Sequence, residues 1–258
     1  PSMIWTLGID PVAYVEEEIK EFDKKRYVKA ANGAIFLNTD SIVPRMVKGL
    51  LEKRIKAQKE GNEVASQAIK ILMNSIFFGI FTNVNFRWFN QKIFNAITTS
   101  SQEIGHVVME EIEKYCKEEL KLKKAKVIYR DTDSFMVNLG ITDDKKAKEI
   151  ALKIKEHINK FLNDYIQEKY CRENHLYLDF KEKFPRFLMP RLRKVENTET
   201  GVKKKYCGLS VENGKAEVKF VGMEFVHADW TDLAKEFQHE LYLKVLQNQP
   251  YKKFVKDF

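Results

Sequence analysis

The stretch Tyr129-Arg130-Asp131-Thr132-Asp133-Ser134 stands between two short β-type runs, AKVIY (125–129) and SFMVNL (134–139). Apolar, β-branched runs around a polar step predict a tight antiparallel hairpin with RDTD (130–133) at its tip. Two carboxylates two residues apart on extended backbone share a face. Held that close, Asp131 and Asp133 repel unless a cation neutralises them. A hard divalent ion such as Mg²⁺ takes one or two carboxylates plus substrate phosphates, so the pair suits phosphoryl transfer. The same spacing also fits an ordinary Asp-rich turn, because Asp bonds neighbouring backbone. The tip alone leaves both readings open.

Upstream of the hairpin the hydrophobic period lengthens. Ser41 and Pro44 mark a helix start, and MVKGLLEKRIKAQKEG (46–61) carries helical periodicity. Gly61 and Asn62 interrupt it, and VASQAIKILMNSIFFGIF (64–81) resumes it, which predicts a helical hairpin over about 41–81. A longer helix is expected over 91–120 and another over 143–165. Strand-like runs follow at LYLDF (176–180), RFLMP (186–190), KKYCGLS (204–210) and EVKFVG (217–222), and Asp229 stands where it would cap a helix reaching Leu246. This order predicts an α+β fold with an early helix-only insertion.

The helical hairpin adds chemistry. Lys70 and Asn74 are one turn apart on its second helix, with Phe77 and Phe78 a turn further on. A lysine there suits a triphosphate, and flat apolar rings suit a nascent base pair. Arg54 on the preceding helix offers a forked phosphate contact. Core packing for the phenylalanines, and a solvated helix face for Lys70 and Arg54, are the competing readings. Near the C-terminal end, Lys203-Lys204-Lys205-Tyr206 leads into a strand. Alternation would send Lys203 and Lys205 one way and Lys204 and Tyr206 the other. A cationic edge beside an aromatic suits a nucleic-acid backbone, and a charged edge strand guarding against aggregation reads the same way.

Bulk properties narrow the class. Of 258 residues, 44% are hydrophobic and 32% charged, which fits a soluble globular chain and excludes a disordered one. The net charge of +8 favours a polyanionic partner. The apolar run at 76–81 is too short to span a bilayer, and the N-terminus has no signal-peptide pattern. Cys116, Cys171 and Cys207 fit neither a CxxC pair nor a zinc pattern, so a reducing, cytoplasmic compartment is expected. The start at PSMIWTLGIDP and the end at YKKFVKDF both read as cuts inside a larger protein.

Taken in order, these motifs resemble the family B DNA polymerases. YRDTDS (129–134) resembles motif C, YGDTDS. Lys70, Asn74 and Ser75 through Gly79 resemble motif B, KxxxNSxYG. Lys203–Tyr206 with Gly208 resembles the KKRYAG segment at the palm–thumb junction. Gly222, Glu224, Val226 and Asp229-Trp230 resemble GxExVRRDW at the thumb entry, and Pro1-Ser2 resembles the tail of motif A, DxxSLYPS. GNEVASQAIKILMNS (61–75) and FLMPRLR (187–193) have the flavour of the bacterial DNA polymerase II branch. The resemblance runs collinearly over essentially the whole chain.

The resemblance implies a right-hand α+β polymerase: a palm with an antiparallel β-sheet at 1–38 and 82–225, a helical-hairpin fingers insertion at 39–81, and the start of a helical thumb at 226–258. It implies attack of a primer 3′-hydroxyl on the α-phosphate of a dNTP, with pyrophosphate leaving. Two Mg²⁺ would sit at Asp133, the principal ligand, and Asp131. Arg54, Lys70 and Asn74 would hold the triphosphate, with Phe77 or Phe78 beside it. Lys203, Lys204, Lys205 and Tyr206 would track primer–template DNA. The partners implied are that DNA, dNTPs, and the rest of the polymerase chain, with N-terminal and exonuclease domains and the remaining thumb. The implied location is cytoplasmic, at the nucleoid, with no membrane.

The sequence departs from the pattern in places. The motif A aspartate and tyrosine would precede Pro1. Arg130 replaces a small residue, Gln58 stands where a second phosphate-binding lysine is usual, NSIFFG (74–79) is one residue longer than motif B, and His227-Ala228 replaces an arginine pair. These departures point to a slow or specialised polymerase, or to a diverged, non-catalytic homologue that keeps DNA binding. The 258 residues alone are expected to be poorly active. A reverse transcriptase would also carry paired acids on a hairpin, but the Lys70/Asn74 and Lys203–Tyr206 signatures speak against it, and the ordered motifs speak against a purely structural helical protein.

Overall fold

The computed structural model describes residues 1–17, 19–131, 134–191, 202–212 and 215–258, without the side chains of 76–78 and 212. Helix takes 50% of the chain and strand 15%, a mixed α and β composition, and the strand pairs among the described residues are antiparallel. Two compact units divide the chain: Pro1–Lys123 with Lys153–Asp179, and Lys124–Leu152 with Phe180–Phe258.

The first unit opens with α1 (Ser2–Leu7), followed by β1 (Tyr14–Val15), β2 (Tyr27–Lys29) and β3 (Ile35–Leu37) in the order β1-β3-β2. Phe36 pairs with both Tyr14 and Val28 and is fully buried. The helical hairpin follows as α2 (Ile42–Lys59) and α3 (Glu63–Thr82). Asn62 caps α3 by accepting from Ala65 N at 3.0 Å. The hairpin buries Val43, Val47, Ala57, Met73 and Phe81, while Ile42, Met46, Ile55, Val64 and Ile71 stay exposed.

α4 (Gln91–Glu118) buries Ile93, Ala96, Ile97, Ser100, Ile104, Val108, Ile112 and Cys116, a stripe at helical spacing. α5 (Asp144–Tyr170) extends five residues beyond the expected end, and the division between the units falls within it. Its part in the first unit answers α4 with Ile154, Ile158, Leu162, Ile166 and Tyr170, all buried. Glu111 meets His157 at 2.7 Å and Glu103 meets Lys169, so the two helices run antiparallel.

The second unit holds a hairpin, β4 (Lys126–Asp131) and β5 (Ser134–Asn138), and a sheet of β6 (Arg186–Leu188), β7 (Tyr206–Glu212) and β8 (Lys215–Val221) in that order. Glu224–Val226 forms one 3₁₀ turn, and α6 (Asp232–Leu246) and α7 (Lys252–Asp257) follow. Cys207, Leu209, Val218, Met223 and Leu246 make the core between the sheet and α6, with Phe220 and Tyr242 packed against it.

Four sequence expectations are corrected. LYLDF forms no strand: Asn159 takes the Leu178 backbone instead, accepting from its N–H and donating to its C=O, both at 2.8 Å. That segment satisfies its polar groups on a side-chain amide rather than a ladder. Asp229 is not the cap of α6; Thr231 is, accepting from Ala234 N at 3.3 Å. The strict alternation across 203–206 does not hold, because Lys204 lies in a turn with φ +62° and β7 starts only at Tyr206. Finally, α3 is long and apolar enough to cross a membrane by length and composition, although core helices of soluble proteins pass the same test.

Candidate active site

The β4–β5 hairpin carries the central motif. Lys126 pairs with Asn138 and Val127 with Val137; then the register slips at Ile128, and Tyr129, Arg130 and Asp131 pair with Met136, Phe135 and Ser134. The extra residue is a bulge, which re-aims the strand end. Asp131 pairs with Ser134, and Thr132 and Asp133 between them lie outside the described residues. The Ser134 hydroxyl donates to Asp131 O at 3.1 Å and steadies the turn.

Tyr129 joins this hairpin to the lysine block. Its ring is buried and meets Tyr206 edge-on at 5.8 Å, while Phe187 lies 5.3 Å from Tyr206 on another side. A buried tyrosine needs a partner for its hydroxyl. Tyr129 Oη accepts from Lys204 N at 2.9 Å. The three lysines then diverge. Lys204 Nζ lies 3.9 Å from Asp131 Oδ2; Lys205 Nζ donates to Glu224 Oε1 at 3.1 Å; Lys203 is exposed on the turn. Glu224's own backbone N–H, and then Lys205, hold its carboxyl below the usual range. Burial, then Tyr129, Glu182 and Asp131, push the Tyr206 hydroxyl up.

Asp131 is partly exposed, at 28% of its side chain, and the cation beside it sits on a side chain 73% exposed. A carboxylate with a loosely held counter-ion is the donor type that a hard divalent cation takes while keeping its waters. Among the described residues no group of three or more His, Cys, Asp or Glu forms a ready-made metal cage.

The expected phosphate-binding residues lie in the first unit, on the helical hairpin. Lys70 and Asn74 are exposed one turn apart on α3, and Met73 beside them is buried. Arg54 on α2 is half-buried, and its Nε is buried with no hydrogen-bond partner among the described residues. Such a donor is costly to leave unmet. The Ser75 hydroxyl donates to Ile71 O at 2.6 Å and is spent on its own helix. Phe77 and Phe78 belong to α3, but their side chains lie outside the described residues. Gln58 is exposed near the end of α2.

Tyr129 is the linking residue that residue-type reasoning passed over. The available signal was an apolar strand ending in an aromatic with a hydroxyl. A cleft in the first unit, about 500 Å³, is lined by Trp5, Arg45, Lys48, Arg172 and His175 among others, and by none of the expected site residues.

Residues 12–257 match the family model for DNA polymerase family B. The chain is 34% identical over 258 residues to DNA polymerase II of Escherichia coli (strain K12), covering 100% of this chain and 31% of that protein. It is 26% identical over 260 residues to DNA polymerase 1 of Pyrococcus abyssi (strain GE5 / Orsay), covering 96% of this chain and 29% of that protein. Its fold resembles that of the family B DNA polymerase from the hyperthermophilic archaeon Pyrobaculum calidifontis, with TM-score 0.56 and 20% identity over 97% of this chain and 28% of that one. The chain thus spans about three-tenths of the length of the relatives it matches.

Proposed function

Because this chain belongs to DNA polymerase family B, we propose that it is the palm, fingers and thumb-entry portion of a DNA-directed DNA polymerase. The assignment places palm at 1–38 and 82–225, fingers at 39–81 and thumb entry at 226–258. The observation that carries the reading is the Tyr129–Lys204 bond, which ties the acidic hairpin to a block of DNA-binding type.

Each residue then has a task. Lys203 and Lys204 neutralise phosphates of the primer–template, and Lys204 exchanges the Asp131 carboxylate for a phosphate oxygen when the duplex arrives. Lys205 stays on Glu224 and holds the segment in shape. Arg54, Lys70 and Asn74 bind the triphosphate of the incoming dNTP, and Phe77 or Phe78 packs against its base. Asp131 and Asp133 would hold two Mg²⁺, which supply charge neutralisation at the attacking and leaving oxygens when bound. Placement of the primer 3′-hydroxyl against the α-phosphate supplies much of the remaining rate.

The test is primer extension by the full-length polymerase with Mg²⁺ and dNTPs. Asp131→Ala and Asp133→Ala should each abolish steady extension while primer–template binding persists. The non-catalytic reading gains if the wild-type protein binds DNA without extending it and Asp133→Ala leaves Mg²⁺ affinity unchanged.

A further inference from the structure

The α2–α3 hairpin leaves much apolar surface exposed and buries few side chains, so what fixes its base matters. Its first helix has an unusual start. Ser41 occupies the N-cap, yet its side chain makes no cap bond, and its buried Oγ has no partner among the described residues. The cap comes from elsewhere. Asp10, 33 residues upstream and fully buried, accepts from Val43 N at 2.7 Å through Oδ2. Its Oδ1 accepts from Val12 N at 2.8 Å. A carboxylate on the Val43 N–H in the first turn meets both an orphan donor and the positive end of the helix.

Asp10 is itself firmly held. It follows α1, whose C-terminus is closed by Gly8 in the left-handed region, at φ +66°. Ile9 N donates to Ile4 O at 3.0 Å. Arg172 Nε donates to Thr6 O at 2.7 Å, and one of its terminal nitrogens donates to Asn38 Oδ1 at 2.7 Å. A Cβ at Gly8 would lie 2.9 Å from the Arg172 guanidinium carbon, so the clasp is closely fitted. The exit of α1 is a rigid base, and the Asp10 carboxylate is the buried polar link from that base to α2.

We propose that Asp10 is a positioning residue for the incoming nucleotide. Its carboxylate pins the start of the α2–α3 hairpin, and so holds Arg54, Lys70 and Asn74 ready for the triphosphate. The nucleotide half of this statement rests on the polymerase reading above; the anchoring half does not. An asparagine at this place offers one acceptor and an amino group, so either Val12 N–H or Val43 N–H would face a donor.

The test uses the full-length polymerase. With Asp10→Asn, amide exchange at Val43 and at Arg45, Met46 and Val47 should rise about tenfold, while exchange at Ile104–Ile112 in α4 stays as in the wild type. KM for dNTP should rise about fivefold, kcat at saturating dNTP should change less than about twofold, and primer–template affinity should not move. Asp10→Ser, smaller and neutral, should act in the same direction and serves if the amide variant does not fold. Ser41→Ala should leave every readout unchanged, because its hydroxyl does not make the cap. Unchanged exchange at the start of α2 in both Asp10 variants overturns the anchor. Faster exchange there with an unaltered KM for dNTP overturns the link to the nucleotide. A wild-type chain that incorporates no nucleotide instead removes the polymerase reading, and the exchange data then decide the anchor by themselves.

Discussion

Single residues in this chain differ sharply in what they tolerate. Gly222 has φ +58°, and a Cβ there would lie 1.9 Å from Lys204 O, a backbone atom that cannot swing aside. Gly222→Ala should cost about 2–4 kcal/mol in urea denaturation, through strain and through displacement of the lysine turn. Gly49 sits mid-helix in α2 with nothing within 4 Å of an added Cβ, so Gly49→Ala should stabilise by about 0.5–1 kcal/mol in the same measurement. The thiols divide similarly. Burial pushes Cys116 and Cys207 each up to about 11, while Cys171 is partly exposed. Iodoacetamide at pH 8 should label Cys171 alone in the native chain, and all three cysteines after denaturation.

Among the elements, the segment after α5 shows how a strand-like sequence can avoid being a strand. Asn159 closes two hydrogen bonds on the Leu178 backbone, so Asn159→Ala should cost about 2 kcal/mol and open 176–180 to proteolysis. The same segment brings His175 onto Trp5, stacked at 3.6 Å, with its backbone N–H on the Thr6 hydroxyl. Burial first, then Arg172 and Lys48, hold the His175 imidazole below its ordinary 6.5, against an opposing pull from Glu173. The unfolded chain therefore takes up the proton first. Stability should be flat in this respect above about pH 7 and should fall as pH drops through 6.5. His175→Gln should remove that part of the decline in a thermal-unfolding series across pH 5–8.

For the molecule as a whole, the net charge of +8 sets the reach of any DNA contact. Duplex binding by the full-length polymerase should weaken steeply with salt, and Lys203→Ala should lower the slope of log K against log salt by about one while weakening all sequences alike. Measurement of that slope by anisotropy distinguishes a phosphate contact from a merely solvated lysine.

Much at this scale was legible in advance. The helical hairpin, the long helix before the β4–β5 hairpin and the strand character of β6, β7 and β8 follow from local patterning, while the antiparallel pairing of those three strands was decided by the fold. The strands β1, β2 and β3, at two or three residues each, are too short to show a period. Asp131 and the lysine block could be named from motifs, but Tyr129 as the link between them could not. The Lys204 turn broke the expected alternation because Tyr129 Oη captures its N–H.

Sequence by itself determined the long helices, the β4–β5 hairpin and membership of DNA polymerase family B, because those signals are carried by neighbours along the chain. Tertiary structure alone decided that Asp10 caps α2 in place of Ser41, that Arg172 reaches back 166 residues to Thr6, and that Lys204 faces Asp131. Each of these depends on a side chain meeting a distant group, most often a backbone N–H or C=O, which every residue carries alike and which leaves no mark in the pattern of residue types.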